Sequence, residues 1–252
     1  MARISLHNVL QTLPVGCSYE ESLALMPQAE AWLAKEKERL EQMYTFQESI
    51  WPVNSGAGCD EVGRGPLAGP LVAAAAILPK NTWIPGLNDS KKLSEEVREL
   101  LVPWIKKLAN WSINEISLTE LDALNNINSA SLLAMRRSLQ QLNPQAEFVF
   151  IDGRSEMPNC PVPQAALIKG DARIPAIAAA SIIAKVHRDH LLDQAHQKWP
   201  QYQFNENKGY GTAAHMQALQ KFGPCPYHRR SFAPIRQLLE TPKAIQEQAV
   251  LF

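Results

Sequence analysis

The chain reads Gly58-Cys59-Asp60-Glu61-Val62-Gly63-Arg64-Gly65-Pro66-Leu67-Ala68-Gly69-Pro70 and then enters the unbroken apolar stretch Leu71 to Leu78. Acid pairs and Gly/Pro clusters are common in ordinary surface turns. The apolar run beside this one changes the reading, because it predicts a buried strand and places the acids in or beside a buried sheet. Carboxylates there need a cation or hydrogen-bond donors. A carboxylate pair can hold divalent cations, and Gly63 and Gly65 leave the backbone bare enough for a polyanion to approach. Metal and phosphate chemistry is therefore expected. A glycine-rich nucleotide loop does not fit, since no G-x-G-x-x-G lies here and no G-K-[ST] follows.

At 252 residues, 46% of them hydrophobic, the chain can bury the core of one large globular domain, alone or with an appendage. No apolar stretch approaches the roughly 20 residues that span a bilayer. The first residues lack a basic segment leading into an apolar one, so a cytoplasmic protein is expected. Cys17, Cys59, Cys160 and Cys225 lie far apart without a C-x-x-C pair and read as reduced thiols. The formal charge is zero but unevenly spread. Residues 1 to 56 carry four Lys/Arg and seven Asp/Glu, while Asn205 to Leu238 carries five basic residues and one acid. A basic face in the C-terminal part is compatible with that distribution.

Residues 1–53 read as a helical N-terminal extension, with Leu23, Met26, Trp32, Leu33, Leu40 and Met43 along a polar, helix-forming segment that ends at Trp51-Pro52. Residues 54–240 read as one α/β domain and 241–252 as a flexible tail. Strands are expected at 71–78, 111–117, 147–151 and 164–168. Helices are expected from Ser94 to about Leu108, from Asn128 to Leu142, from Pro175 to about Trp199, and after Thr212. Small residues crowd the start of the Pro175 helix, which allows close packing on a sheet. Lys208-Gly209-Tyr210-Gly211 makes a flexible loop.

Two further acids lie at element boundaries. Asp152 follows the apolar strand Phe148-Val149-Phe150-Ile151, where a turn-forming Asp-Gly is the ordinary alternative. Asp171 precedes the Pro175 helix, where a helix cap is the alternative. Asp189 is set aside, because about 21 Å of helix separates it from Pro175; a surface ion pair is expected of it.

The order of these segments resembles the type 2 ribonucleases H, specifically bacterial ribonuclease HII, over about residues 57 to 236. The matching segments are DEVGRGPLAGP at 60–70, NDSKKLS at 88–94, IDG at 151–153, KGDA at 169–172, AAASIIAKVHRD at 178–189 and KGYGT at 208–212. Ribonuclease HIII usually lacks the arginine of the Gly-Arg-Gly motif, so Arg64 favours the HII branch. The resemblance implies a ribonuclease H-like fold: a central mixed sheet flanked by helices, with a C-terminal helical region and the N-terminal extension. It implies a two-metal site for Mg²⁺ or Mn²⁺ held by Asp60, Glu61, Asp152 and Asp171. Asp60 is assigned as the bridge, Asp171 to the metal that activates water, and Asp152 with Glu61 to the metal facing the leaving oxygen. Successive residues of a regular strand face opposite ways, so Asp60 and Glu61 share a site only if the strand is irregular or one acts indirectly.

The implied activity is hydrolysis of RNA in RNA-DNA hybrids and cleavage 5′ of ribonucleotides embedded in duplex DNA. The backbone of Gly63, Arg64 and Gly65 is implied to contact the 2′-hydroxyl, which distinguishes RNA from DNA, and Tyr210 to stack on the next sugar. Lys91, Lys92, Lys169, Arg173, Lys185, His215, Arg229 and Arg230 are candidates for phosphate contacts. A DNA nuclease or strand-transfer enzyme sharing the acid cluster and a non-catalytic hybrid-binding protein are the alternatives. Gln248-Ala249-Val250-Leu251-Phe252 resembles the short peptides that dock on bacterial sliding clamps.

Overall fold

Each apolar run singled out above becomes a strand, and so does the acid-bearing segment before them. The computed structural model describes residues 4–52 and 55–240. Three helices come first: α1 (Leu6–Thr12), α2 (Tyr19–Leu25) and α3 (Glu30–Ile50). The strands are β1 (Gly56–Val62), β2 (Leu71–Ile77), β3 (Asn110–Ile116), β4 (Phe148–Asp152) and β5 (Gln164–Leu167), in one mixed sheet of order β3-β2-β1-β4-β5. The β1–β4 and β4–β5 pairs are parallel. The other helices are α4 (Glu95–Leu108), α5 (Leu118–Leu124), α6 (Ile127–Gln141), α7 (Pro175–Lys198), α8 (Phe204–Asn207), α9 (Ala213–Phe222) and α10 (Ala233–Glu240). Among the described residues, no helix is long and apolar enough to cross a membrane, and all four cysteines are free.

Two compact units divide the chain: residues up to 61 with 73–114 and 132–186, and residues 62–72 with 115–131 and those from 187 onward. In the first, the middle of the sheet is fully covered; Ala73 to Ala76 are wholly buried. Helix α6 is pinned to β2 by the Ser138 hydroxyl, which donates to the Ala73 carbonyl at 3.1 Å. The small residues at the start of α7 let it press onto β1. A Cβ built on Gly58 would lie 2.1 Å from the Ile177 nitrogen and 2.2 Å from the Ala176 carbonyl carbon. Only glycine permits that approach.

The N-terminal segment is stitched into this same unit. Tyr44 donates its hydroxyl to the Thr82 carbonyl at 3.2 Å, and the Arg39 guanidinium donates to the Leu87 carbonyl at 2.8 Å. Trp51 stacks on Phe148 with ring centroids 4.5 Å apart. Helix α2 opens on a capping box in which Ser18 and Glu21 satisfy each other's backbone amides. The tail from 241 onward lies outside the described residues.

In the second unit, Leu67, Leu192, Tyr202, Phe204, Leu219 and Ile235 build a separate apolar cluster. Helices α5, α8, α9 and α10 belong to this unit.

Replacing Gly58 by Val is expected to destabilise the fold by about 3 kcal/mol or more, the upper range for overpacking. For a chain of this size that lowers the melting temperature by about 6–12 °C. An unchanged melting curve by circular dichroism rules out the close β1–α7 approach.

Candidate active site

Parallel pairing brings the first two acids together. The register sets Cys59 opposite Ile151, so Asp60 and Asp152, one residue further along each strand, fall at the same level on strands about 4.8 Å apart. Asp171 joins them from the turn Gly170–Ala172, which is entered through Lys169 in the left-handed region (φ 56°). The Asp152 carboxylate locks that turn by accepting the Gly170 N–H at 2.7 Å. One carboxylate oxygen from each of Asp60, Asp152 and Asp171 lies within 4.8 Å of the others. Asp60 and Asp171 are 5% and 3% exposed.

Glu61 stands outside this group of three. The carboxylate oxygens that meet within 4.8 Å come from the other three acids, while the Glu61 N–H donates to the Asp60 carboxylate at 2.7 Å. It remains close enough to act on Asp60 electrostatically.

Three carboxylates at this spacing resist joint ionisation. Burial, with Glu61 and Asp152 adding their charges, pushes Asp60 well above the usual carboxylate range; a hydrogen bond from Ser181 and the Lys91 charge pull the other way. Burial, with Asp152 and Asp89, pushes Asp171 up to about 6, against the pull of Lys91. The Lys91 ammonium is 3.6 Å from Asp171. Burial disfavours its charge, but Asp60, Asp171 and Asp89 outweigh that and raise its pKa. Ser181 also shares a 2.8 Å hydrogen bond with Ser90. Both serines are buried, and the sequence analysis had not singled them out. Their signal was position: each sits inside a matched segment, NDSKKLS or AAASIIAKVHRD.

The donor set fits a hard divalent cation: oxygen ligands only, converging, and carrying more negative charge than the site tolerates without protons or a metal.

The second unit holds Gly63, Arg64, Gly65 and Tyr210. Arg64 and Gly65 are exposed, and the Arg64 side chain bonds to that of Asn128. Tyr210 is 48% exposed. A Cβ built on Gly65 would lie 3.5 Å from its ring, so the tyrosine stands beside the glycine.

The basic candidates separate by burial. Lys91, Lys92, Lys169, Arg173 and Arg230 are exposed and Lys185 is half-buried. Arg173 is held over the Phe46 ring of α3 at 4.0 Å. His215 and Arg229 are corrections to the phosphate set, because both are fully buried. The His215 ring bonds to the Tyr210 carbonyl at 2.8 Å and to the His228 ring at 3.0 Å. Arg229 donates to backbone carbonyls, including Gly63 at 2.6 Å. Burial, with Arg188 adding repulsion, pulls its guanidinium down to about 9, still protonated at neutral pH. Asp189 is a further correction: it is 2% exposed and so is no surface ion pair. Sequence spacing alone does not distinguish a basic residue on a duplex-facing surface from one turned into the core.

The carboxylate cluster lies where β1 and β4 run parallel at the middle of a mixed, helix-flanked sheet, and the fold is of the ribonuclease H-like class. A family model for ribonuclease HII matches residues 57–235. A ribonuclease HII from Caldanaerobacter subterraneus subsp. tengcongensis is 46% identical over 211 residues, covering 82% of this chain and 87% of its own length. One from Verminephrobacter eiseniae is 51% identical over 184 residues, covering 73% and 87%. The crystal structure of ribonuclease H2 from Pyrococcus horikoshii OT3 matches with a TM-score of 0.63 at 25% identity, covering 73% of this chain and 97% of that one. The chain belongs to the ribonuclease HII family, enzymes of divalent-metal-dependent type that cleave RNA in RNA-DNA hybrids.

Two pH effects follow. Asp171 in the folded protein lies near 6 against an ordinary 3.8, so the folded state binds this proton more tightly than the unfolded chain. Its contribution to stability is present below about pH 4 and is lost as the pH rises through 6. At pH 8 in EDTA, Asp171→Asn is expected to melt above wild type, by about 2–4 °C for each kcal/mol of repulsion removed. Added Mn²⁺ raises the wild-type melting temperature more than the variant's. A wild type that melts above the variant without metal contradicts the like-charge account.

The histidine pair has the opposite sign. Burial, with His215 beside it, lowers His228 to about 4, and burial lowers His215 as well. Stability from the pair is present above pH 6.5 and is lost as the pH falls towards 4. Denaturant titrations are expected to show a shallower loss over that range in His228→Gln.

Proposed function

We propose that the chain is an endoribonuclease that uses Mg²⁺ or Mn²⁺ to hydrolyse RNA in RNA-DNA hybrids and to cut 5′ of ribonucleotides embedded in duplex DNA, leaving 3′-hydroxyl and 5′-phosphate ends. The observation that carries this reading is the convergence of Asp60, Asp152 and Asp171 to within 4.8 Å.

Asp60, Asp152 and Asp171 would hold the metal directly, with Asp60 between the other two roles. Glu61 completes the four-acid set, either through the metal's outer surroundings or after a side-chain rearrangement. When bound, a pair of such ions supplies Lewis acidity to the attacking water and the departing 3′ oxygen. The Gly170 N–H keeps the Asp152 carboxylate oriented, and Ser181 keeps that of Asp60 oriented. Lys91, 3.6 Å from Asp171, lowers the cost of assembling negative charge there and is placed to meet a phosphate.

Recognition is assigned to the second unit. The Gly63-Arg64-Gly65 backbone senses the 2′-hydroxyl, and the exposed Tyr210 ring stacks on the neighbouring sugar. Lys92, Lys169, Arg173 and Lys185 join Lys91 in holding the phosphate backbone. Biologically, cutting at single ribonucleotides serves the removal of misincorporated ones from DNA. Gln248–Phe252, outside the described residues, is proposed as a sliding-clamp docking peptide; its support is its sequence, and a clamp pull-down with and without the last five residues tests it.

Duplexes with no, one or several ribonucleotides are the substrates that test the reading. Wild type with Mg²⁺ or Mn²⁺ is expected to cut only those with ribonucleotides, and Asp152→Asn to lose at least about 10²-fold in rate, as loss of a preorganised charge-stabilising group does. Equal cutting of the all-DNA duplex overturns the specificity. Binding is expected to weaken steadily as salt rises, and an affinity flat from low to moderate salt removes the phosphate set.

A further inference from the structure

We propose that Arg188 and Arg229 are positioning residues for ribonucleotide recognition: two buried guanidiniums draw the carbonyls of residues 63–70 inward and thereby turn the amide face of Arg64 and Gly65 outward. The inference rests on the reading that Gly63-Arg64-Gly65 senses the 2′-hydroxyl, and it adds what holds that segment in a sensing conformation.

Both side chains are fully buried. Arg229 donates from Nη2 to the carbonyls of Gly63 (2.6 Å) and Pro70 (3.2 Å), from Nη1 to Arg64 (3.2 Å) and from Nε to Gly69 (2.8 Å). Arg188 donates from Nε to Pro70 (3.1 Å), from Nη2 to Ala68 (3.0 Å) and from Nη1 to Lys208 (3.0 Å). A buried cation satisfied by backbone carbonyls is a costly arrangement unless the geometry it enforces is needed.

That geometry follows from the peptide plane. In a trans peptide, the C=O of one residue and the N–H of the next point in opposite directions. With the Gly63 and Arg64 carbonyls fixed on Arg229, the N–H groups of Arg64 and Gly65 face away from it, and a hydroxyl oxygen can accept from them. The positive charge behind the loop polarises the same peptide units and strengthens those donors.

Arg188 extends the brace to the tyrosine. Its bond to the Lys208 carbonyl holds the Lys208-Gly209-Tyr210-Gly211 loop, and the Leu67 N–H donates to the Gly209 carbonyl at 2.8 Å. Two glycines make room. Gly63 (φ +95°) would set a Cβ 2.4 Å from Arg188 Nε, and Gly209 (φ +84°) would set one 2.5 Å from the Ala68 carbonyl oxygen.

Lysine tests the fork, since a single ammonium keeps the charge but cannot span several carbonyls in one plane. In an Asp152→Asn background that prevents cutting, dissociation constants are measured for a duplex with one ribonucleotide and for the same duplex in DNA alone. Arg229→Lys and Arg188→Lys are each expected to reduce the ribonucleotide preference by about tenfold, the equivalent of one or two hydrogen bonds, while affinity for all-DNA changes less than about twofold. An unchanged preference in a cooperatively melting variant, or a parallel loss on both duplexes, overturns the inference. If Asp152→Asn itself shows no preference, the sensing reading fails first and takes this one with it. Where a lysine variant does not fold, the amide shifts of Arg64 and Gly65 in the Asp152→Asn protein decide: they are expected to move with the ribonucleotide duplex and not with DNA, and the absence of that difference overturns the outward amide face.

Discussion

Repulsion among three converging carboxylates, two of them buried and the third half-buried, is the constraint around which the first unit is organised. Asp60, Asp152 and Asp171 meet because two parallel strands end in register and a tight turn returns beside them. No chain gathers such charge without cost, since burial and like-charge proximity each favour the protonated form. The neighbourhood offsets it locally. Ser181 and the Gly170 amide donate, and Lys91 brings an opposing charge. What is left over is the driving force for a divalent cation.

The backbone around this cluster is closely packed. Gly58 lets α7 settle on β1 so closely that no side chain fits between them, which sets the level of the helix start against the strand that carries Asp60. Ser181, on the same helix, reaches Asp60. A bulkier residue at position 58 moves both relations together, so a packing detail and a chemical one share one cause.

The second unit solves a different problem with the opposite charge. It buries Arg188 and Arg229 and spends their donors on main-chain carbonyls, so that an irregular, glycine-rich segment keeps one shape. A zero net charge on the whole chain conceals this division of labour. Lys91 is exposed beside the acids, whereas Arg188 and Arg229 are turned inward onto main-chain carbonyls. The histidine pair belongs with the second group: His215 holds the Tyr210 carbonyl and His228 holds His215.

Four of the five strands and the long helices were legible because each is a local pattern: an apolar run of strand length, or a periodic segment bounded by a cap or a proline. β1 was not, because Gly56, Gly58, Asp60 and Glu61 are poor strand formers taken singly; its pairing with β4 overrides their propensity. The four acids were legible as residue types at element ends, but which three of them converge depended on the β1–β4 register and on the turn at Gly170. Asp189, His215 and Arg229 show the same limit, since charge and position in the chain say nothing about which side of an element faces inward. The sequence by itself determined four of the strands, the long helices, the acidic inventory and the family, because these are written in local patterning and in motifs. Only the tertiary structure decided which acids converge and which cations are buried, because those depend on strand register and helix rotation, through contacts between residues far apart along the chain.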